Sequence, residues 1–357
     1  MTLPLKNRLT EILTLTRAGK LHDATAIIRG SLGAPDLGAA THAAPARGTA
    51  ARVWRSLPAP LAEPLARGTP PRDTGERLVR NRHATPRGAL DYLLYAPASA
   101  AAPMPLVIML HGCTQSAEDF ARGTRMDERA EERGFIVAYP EQTQAANAQK
   151  CWNWFRPGDQ AKDRGEPALI AGITRDIIAN HNVDPARVYI AGLSAGGAAA
   201  AVMAEAYPDL YAAAGIHSGL ACGSAQDVIS AFAAMKGNGN RRPRQVSRYV
   251  PVITFHGDRD TTVHPDNSEQ IHGAWAAAPE AQALTRKVEQ GVSAGGRSYR
   301  KTALVDAKGR SFAESFAIEG AGHAWAGGSP AGSYTDASGP DASREMLRFF
   351  LQHRLAG

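Results

Sequence analysis

The chain has 357 residues, 44% of them hydrophobic, which is enough for one large domain with a full core and excludes wholesale disorder. No run of about 18 apolar residues occurs, so no membrane span is predicted. The net charge is +6, from 40 basic and 34 acidic residues. Much of that excess lies before residue 90 and around Arg241, Arg242 and Arg244. Without a basic helix or an aromatic-basic alternation, it points away from nucleic acid as a partner.

The first eleven residues, Met1 to Glu11, lack a basic start followed by an unbroken apolar core and a cleavage site. A cytoplasmic location is therefore expected. Residues 1–32 read as a helical hairpin. Leu5, Leu9, Ile12 and Leu13 share one stripe, Leu21, Ala24, Ile27, Ile28 and Leu32 another, and Gly19 and Lys20 break the run. Such stripes are packing surface: they dock on the main domain, mediate self-association or dock on a granule. Residues 33–76 are rich in Pro, Ala, Gly and Arg without apolar periodicity, and read as a linker.

From residue 77 to 357 the pattern is that of one α/β domain. Arg77 to Val79 and Leu90 to Tyr95 flank a Pro-Arg-Gly turn and predict an antiparallel hairpin. Buried strands are predicted at Leu106–Leu110, Phe135–Pro140, Val188–Ala191, Ala213–His217 and Val250–Phe255. Helices are predicted at Met126–Arg133, from about Pro167 to His181, and from Ala342 to about His353. Tyr299–Val305 and Phe312–Ile318 flank an Asp-Ala-Lys-Gly turn. Apolar strands alternating with helices predict a mostly parallel sheet covered on both faces.

The chain's organising stretch is Val188 to Gly197. Four residues suited to a buried strand run into Gly192-Leu193-Ser194-Ala195-Gly196, and an Ala-rich helix follows. A bare Gly-x-Ser-x-Gly match arises often by chance. Strand before and helix after are the context of a nucleophile elbow, with Ser194 pushed above the sheet edge. A serine hydroxyl needs a base, and the base an orienting carboxylate, here in the order Ser, Asp, His. Asp260 is the favoured acid, with Asp258 as fallback. His323 is the base, because it alone follows the acid and sits just past a strand. His217 ends a strand but precedes the acid, and reads as structural. The oxyanion donors are the amides of Ala195 and Cys113, with Thr114 second to Cys113. His111 reads as a loop-shaping hydrogen bonder. No metal or cofactor is called for, since none of the three cysteines has metal-ligand spacing. An odd cysteine count fits a reducing compartment. Cys113 and Cys151 are either a disulfide bracing the oxyanion loop or two buried thiols. Trp152, Trp154 and Trp325 are candidate substrate walls, with core packing as the alternative.

Five motifs in order carry a resemblance. They are Leu110-His111-Gly112-Cys113-Thr114-Gln115, Cys151-Trp152-Asn153-Trp154, Gly192-Leu193-Ser194-Ala195-Gly196-Gly197, His256-Gly257 to Asp260, and Gly322-His323-Ala324-Trp325. Together residues 77 to 354 resemble the polyhydroxybutyrate depolymerase family of α/β-hydrolase esterases, whose broader group holds feruloyl and acetylxylan esterases. The resemblance implies an α/β-hydrolase fold and a Ser194–Asp260–His323 triad. It also implies a small ester or polyester of short hydroxyalkanoates as substrate. Depolymerases of this type carry a signal peptide, a linker and a C-terminal polymer-binding domain that are not seen here. Soluble oligomers, amorphous granules or small esters are therefore expected over crystalline polymer.

Overall fold

The computed structural model of the chain describes residues 78–97, 102–239 and 248–356. The expected N-terminal hairpin and linker lie outside them. The strands are β1 (Val79–Thr85), β2 (Gly88–Tyr95), β3 (Met104–Leu110), β4 (Ile136–Glu141), β5 (Val183–Leu193), β6 (Ala213–His217), β7 (Val252–Gly257), β8 (Thr285–Val292), β9 (Ser298–Val305) and β10 (Ser311–Ile318). They form one ten-stranded sheet in the order β1-β2-β4-β3-β5-β6-β7-β10-β9-β8. The six strands from β4 to β10 in that order run parallel. An antiparallel pair flanks them at each end: β1 with β2, and β8 with β9. A two-stranded parallel ribbon, β11 (Trp325–Ala326) with β12 (Thr335–Asp336), stands apart.

The strand sequences dictate this burial. In β3 every residue is buried, and successive side chains alternate between two cores. Leu106, Ile108 and Leu110 face one core with Val188 and Ile190 of β5. The same core takes the inner stripes of α3 (Gly165–Asn180) and α4 (Ala195–Ala206). Val107 and Met109 face the other, with Phe120 of α1 (Ala117–Thr124), Met126 of α2 (Met126–Arg133), and Met346, Phe349 and Phe350 of α7 (Ala342–Phe350). Two shorter helices are α5 (Val228–Ala233) and α6 (Asp266–Ala276), and Ile271 and Trp275 of α6 cover β7 on the α4 side. A strand apolar on both sides is what a doubly covered parallel sheet requires.

Among the elements that escaped the sequence are β8 and α1. The strand β8 is exposed at nearly every position, so Thr285–Val292 shows no inward-facing alternation. The helix α1 is eight residues long, too short for a clear period, and starts on a Ser116 cap that accepts from Asp119 N. Parallel register gathers the loops that matter for chemistry. Leu110 is opposite Gly192, Leu193 opposite His217, and Ile318 opposite Gly257, so the loops after β3, β5, β6, β7 and β10 leave one edge together.

Candidate active site

Ser194 sits between β5 and α4 with φ 57° and ψ −120°, a left-handed backbone that costs a non-glycine residue about 1–3 kcal/mol. The surroundings hold it there. Its N–H donates to His217 O at 2.9 Å, and its carbonyl accepts from Ala198 N at 2.9 Å. A Cβ on Gly192 would lie 2.4 Å from the carbonyl of Gly196, and one on Gly196 would lie 2.1 Å from Leu110 O. The glycines at those two places are therefore dictated by backbone crossing backbone.

Asp260 lies three residues beyond β7, and His323 five beyond β10. These strands are parallel neighbours, and their pairing continues past their ends through Asp258 N to Ile318 O at 3.0 Å and Arg259 N to Ala321 O at 2.9 Å. That zipper delivers His323 Nδ1 to Asp260 Oδ2 at 2.7 Å. The other carboxylate oxygen accepts from Thr262 N and Val263 N, both at 2.9 Å. His256 Nε2 donates to Val263 O at 2.8 Å and lies 3.4 Å from Asp260 Oδ2. Burial alone would push the Asp260 carboxyl up. The close approach of the His256 ring, the hydrogen bond from His323 and the Val263 amide outweigh it and hold the group well below the ordinary range, so it is a carboxylate. A carboxylate accepts from Nδ1–H, which leaves the lone pair of neutral imidazole on Nε2.

Ser194 and His323 line one cavity of about 290 Å³, together with Gly112, Cys113, Leu193, Met235, Thr262 and Tyr334. Among the described residues no direct hydrogen bond joins Ser194 Oγ to His323. Such bonds tighten when substrate binds.

Cys113 follows β3 on the opposite flank. Its neighbours' amides are spent: Gly112 N donates to Gln115 Oε1 at 2.9 Å, and Thr114 N to Gln149 O at 2.7 Å. Thr114, the second choice as donor, is thereby excluded. Among the described residues neither Cys113 N–H nor the N-terminal amide of α4, Ala195 N–H, meets a protein acceptor. The loop is braced by a Cys113–Cys151 disulfide with Cα atoms 4.2 Å apart. Trp152 Nε1 donates to His111 O at 3.1 Å, and Gln142 N to His111 Nε2 at 3.0 Å. His111 is fully buried, which pushes its pKa down to about 4, and it shapes the loop as a neutral ring. Beneath the loop, Glu166 in the first turn of α3 accepts from Gln142 Nε2, Asn153 Nδ2 and Asn153 N. Its burial, with Asp159 nearby, outweighs those donors and raises its pKa to about 7.

The structure thus brings together Ser194, Asp260 and His323 and, on the far flank, Cys113 and Ala195. It separates others. Asp258 is exposed and accepts from Gly320 N at 2.7 Å, which latches the turn leading to His323. His217 stacks between Phe255 and Trp325, and its Nε2 accepts from Ala326 N at 2.9 Å. The three tryptophans are corrected: Trp152, Trp154 and Trp325 are buried, and none lines the cavity. Trp152 holds the loop after β3, Trp154 packs edge-on against Phe155, and Trp325 bonds Ser343 and packs on Phe120 and His217. Their place beside site motifs reflects support from beneath. Sequence reading missed Met235, Thr262, Tyr334, Gln115 and the role of His256. For His256 a signal existed, since it stands four residues before Asp260 at a strand end. For the others, in irregular or polar stretches, none did.

A model of the family described as Esterase PHB depolymerase matches residues 90–288. The poly(3-hydroxyalkanoate) depolymerase C of Paucimonas lemoignei is 32% identical over 248 residues, which cover 66% of this chain and 58% of that protein. The chain thus spans less than two thirds of that relative's length. Feruloyl esterase B of Neurospora crassa is 34% identical over 200 residues, 51% of this chain and 68% of that protein. Among solved structures, an acetyl xylan esterase from Aspergillus awamori aligns with a TM-score of 0.56 at 20% identity, over 74% of this chain and 94% of that one, which is a likeness of fold.

Proposed function

This chain belongs to the esterase PHB depolymerase family and has an α/β-hydrolase fold, and from that premise we propose that it is a serine carboxylesterase working through an acyl-enzyme. The observation that carries the reading is the 2.7 Å His323–Asp260 bond beside Ser194 in one cavity. His323 Nε2 takes the Ser194 proton as Oγ attacks the ester carbonyl. The oxyanion forms against Cys113 N–H and Ala195 N–H, both unspent. His323 returns the proton to the leaving alcohol, and water then repeats the sequence in reverse to free the acid. Asp260 holds the imidazole in the required tautomer throughout.

For substrate we propose short hydroxyalkanoate esters, as oligomers or amorphous polymer. Two features support this. The cavity is small, and Met235 on its wall continues from α5, whose Val228, Ile229 and Phe232 are 46%, 64% and 57% exposed. An apolar approach suits an aliphatic polyester better than a hydrated polysaccharide. The second reading, a feruloyl or acetylxylan esterase, draws on the 34% identity to a feruloyl esterase. The Cys113–Cys151 bridge favours an oxidising compartment over the cytoplasm. Among the described residues no helix is long and apolar enough to cross a membrane.

Turnover of p-nitrophenyl butyrate by the parent and by Ser194→Ala tests the mechanism. Loss of about 10,000-fold or more is expected, together with fluorophosphonate labelling of the parent only. Retained turnover in the variant removes Ser194 from the chemistry. Release from hydroxybutyrate oligomers against release from methyl ferulate decides between the substrates.

A further inference from the structure

Tyr334 is a large side chain of the cavity wall that the sequence pattern gives no reason to expect. It ends a Gly- and Ser-rich connection between β11 and β12, has φ 50°, and is 47% exposed. A bulky residue in the left-handed region is a true outlier, where Gly or Asn would sit without cost. The connection is nonetheless fixed on every side. Trp325 N donates to Tyr334 O at 2.7 Å, and Ser329 N to Gly123 O at 2.8 Å. Ser333 donates from N and from Oγ to Asp119 in the first turn of α1. Gln115, nearly fully buried, ties the two sides of the wall. Its Oε1 accepts from Gly112 N in the oxyanion loop, while its Nε2 donates to Ser333 O at 3.1 Å. The phenol is tethered too. Thr114 Oγ1 gives its proton to Cys113 O at 2.6 Å, so in the 3.2 Å contact with Thr114 it is Tyr334 that donates.

Across Ser194 the cavity has two flanks. Thr262 belongs to the Asp260 loop and adjoins His323, which must reach the leaving alcohol. The Tyr334 hydroxyl meets Thr114 Oγ1 beside Cys113 on the β3 side, while its carbonyl accepts from Trp325 N, two residues after His323. We propose that the acyl chain extends towards Tyr334, that Tyr334 is a specificity-determining residue whose ring forms a fixed end wall limiting that chain, and that Gln115 keeps this wall in register with the oxyanion loop. The proposal rests on the esterase reading and adds to it which acyl groups fit. A backbone strained to present a ring at the cavity mouth, and braced from four directions, has the properties of a preorganised wall.

The test is a p-nitrophenyl ester series from acetate to decanoate, with kcat and KM measured for the parent, Tyr334→Ala, Tyr334→Asn and Tyr334→Phe. Loss of the ring is expected to raise the kcat/KM ratio of octanoate over butyrate by about 10-fold, with KM for butyrate rising more than kcat falls. Tyr334→Phe keeps the ring and is expected to move the ratio less than Tyr334→Ala. Tyr334→Asn suits the left-handed backbone and supplies the answer if the Ala variant does not fold. An unchanged ratio in Tyr334→Asn overturns the proposal, as does a shift that appears only when the alcohol of alkyl butyrates is varied instead of the acyl chain. If the parent hydrolyses no ester of the series, the esterase reading fails. If it does and the ratio stays fixed, only the wall fails.

Discussion

The two flanks of the site are built in different ways. On the acid–histidine flank, the contacts that set geometry are almost all backbone. Asp258 and Arg259 pair with Ile318 and Ala321, and the amides of Thr262 and Val263 hold the carboxylate. This flank extends two parallel strands by a few residues, so its placement is inherited from sheet register. On the oxyanion flank, the contacts are side chains reaching across long sequence gaps. Cys113 is bonded to Cys151, Gln115 clamps Gly112 to Ser333, Trp152 bonds His111, and Glu166 gathers Gln142 and Asn153. Here the loop leaves its strand early and has no ladder to follow, so cross-links set its position. The first flank should therefore be sensitive only at the carboxylate itself, and the second at each of its ties.

The largest effect tests the first flank. Asp260→Asn keeps the shape, but its oxygen is claimed by the amides of Thr262 and Val263, so its NH2 faces Nδ1 and donates to it, and the imidazole takes the wrong tautomer. A fall in kcat of about 10,000-fold is expected. Asp258→Asn is the control two residues away. An amide oxygen still accepts from Gly320 N, so kcat should stay within about 3-fold, since surface hydrogen bonds carry about 1 kcal/mol or less. Comparable losses in the two variants would mean that the side chains, and not the strand register, set this flank.

Next is the disulfide. Cys151→Ser removes a bridge closing a separation of 38 residues, which is expected to cost about 2–4 kcal/mol of stability. If cross-links position the oxyanion donor, kcat on p-nitrophenyl butyrate should fall at least about 10-fold, with KM little changed, in variant protein shown to be folded by circular dichroism. A folded variant with parent kcat would show that the other ties suffice and would weaken the contrast between the flanks.

The same division explains what was legible in the sequence. The elbow could be read because steric demands at Gly192 and Gly196 leave no other residue type. Asp260 could be read because it follows a buried strand with a clear apolar run, and His323 because among the histidines after the acid it sits just past a strand. Strand register then does the rest without further information from side chains. The Cys113 flank was legible at His111, but not in its support. Whether two cysteines pair depends on loop paths, and Gln115 and Glu166 are ordinary polar residues until their partners are known. Trp152, Trp154 and Trp325 misled for a related reason. Aromatics near site motifs are equally suited to walls and to foundations, and burial, which separates these, is a property of the fold. Tyr334 lies in a Gly- and Ser-rich segment with no apolar period to read.

Glu166 provides the smallest effect and the finest probe of the cross-linked flank. Its carboxyl has a pKa of about 7 in the folded protein against an ordinary 4.5, with burial as the leading cause. The folded state therefore holds this proton more tightly than the unfolded chain does. The resulting stabilisation is complete below about pH 4.5 and is lost as pH rises through about 7, so this group makes stability fall across that window. The shift bounds the effect at about 3 kcal/mol, and relaxation of Gln142 and Asn153 lowers it. Glu166→Gln does not titrate, so the difference in urea-unfolding free energy between parent and variant should change in the variant's favour from pH 4.5 to pH 8. Because Glu166 reaches the oxyanion loop through Gln142 and His111, the parent's kcat should carry the same titration, and the variant's should not. A stability difference that tracks pH while kcat does not would mean that the tie ends at Gln142 and that the disulfide, Gln115 and Trp152 set the loop without it.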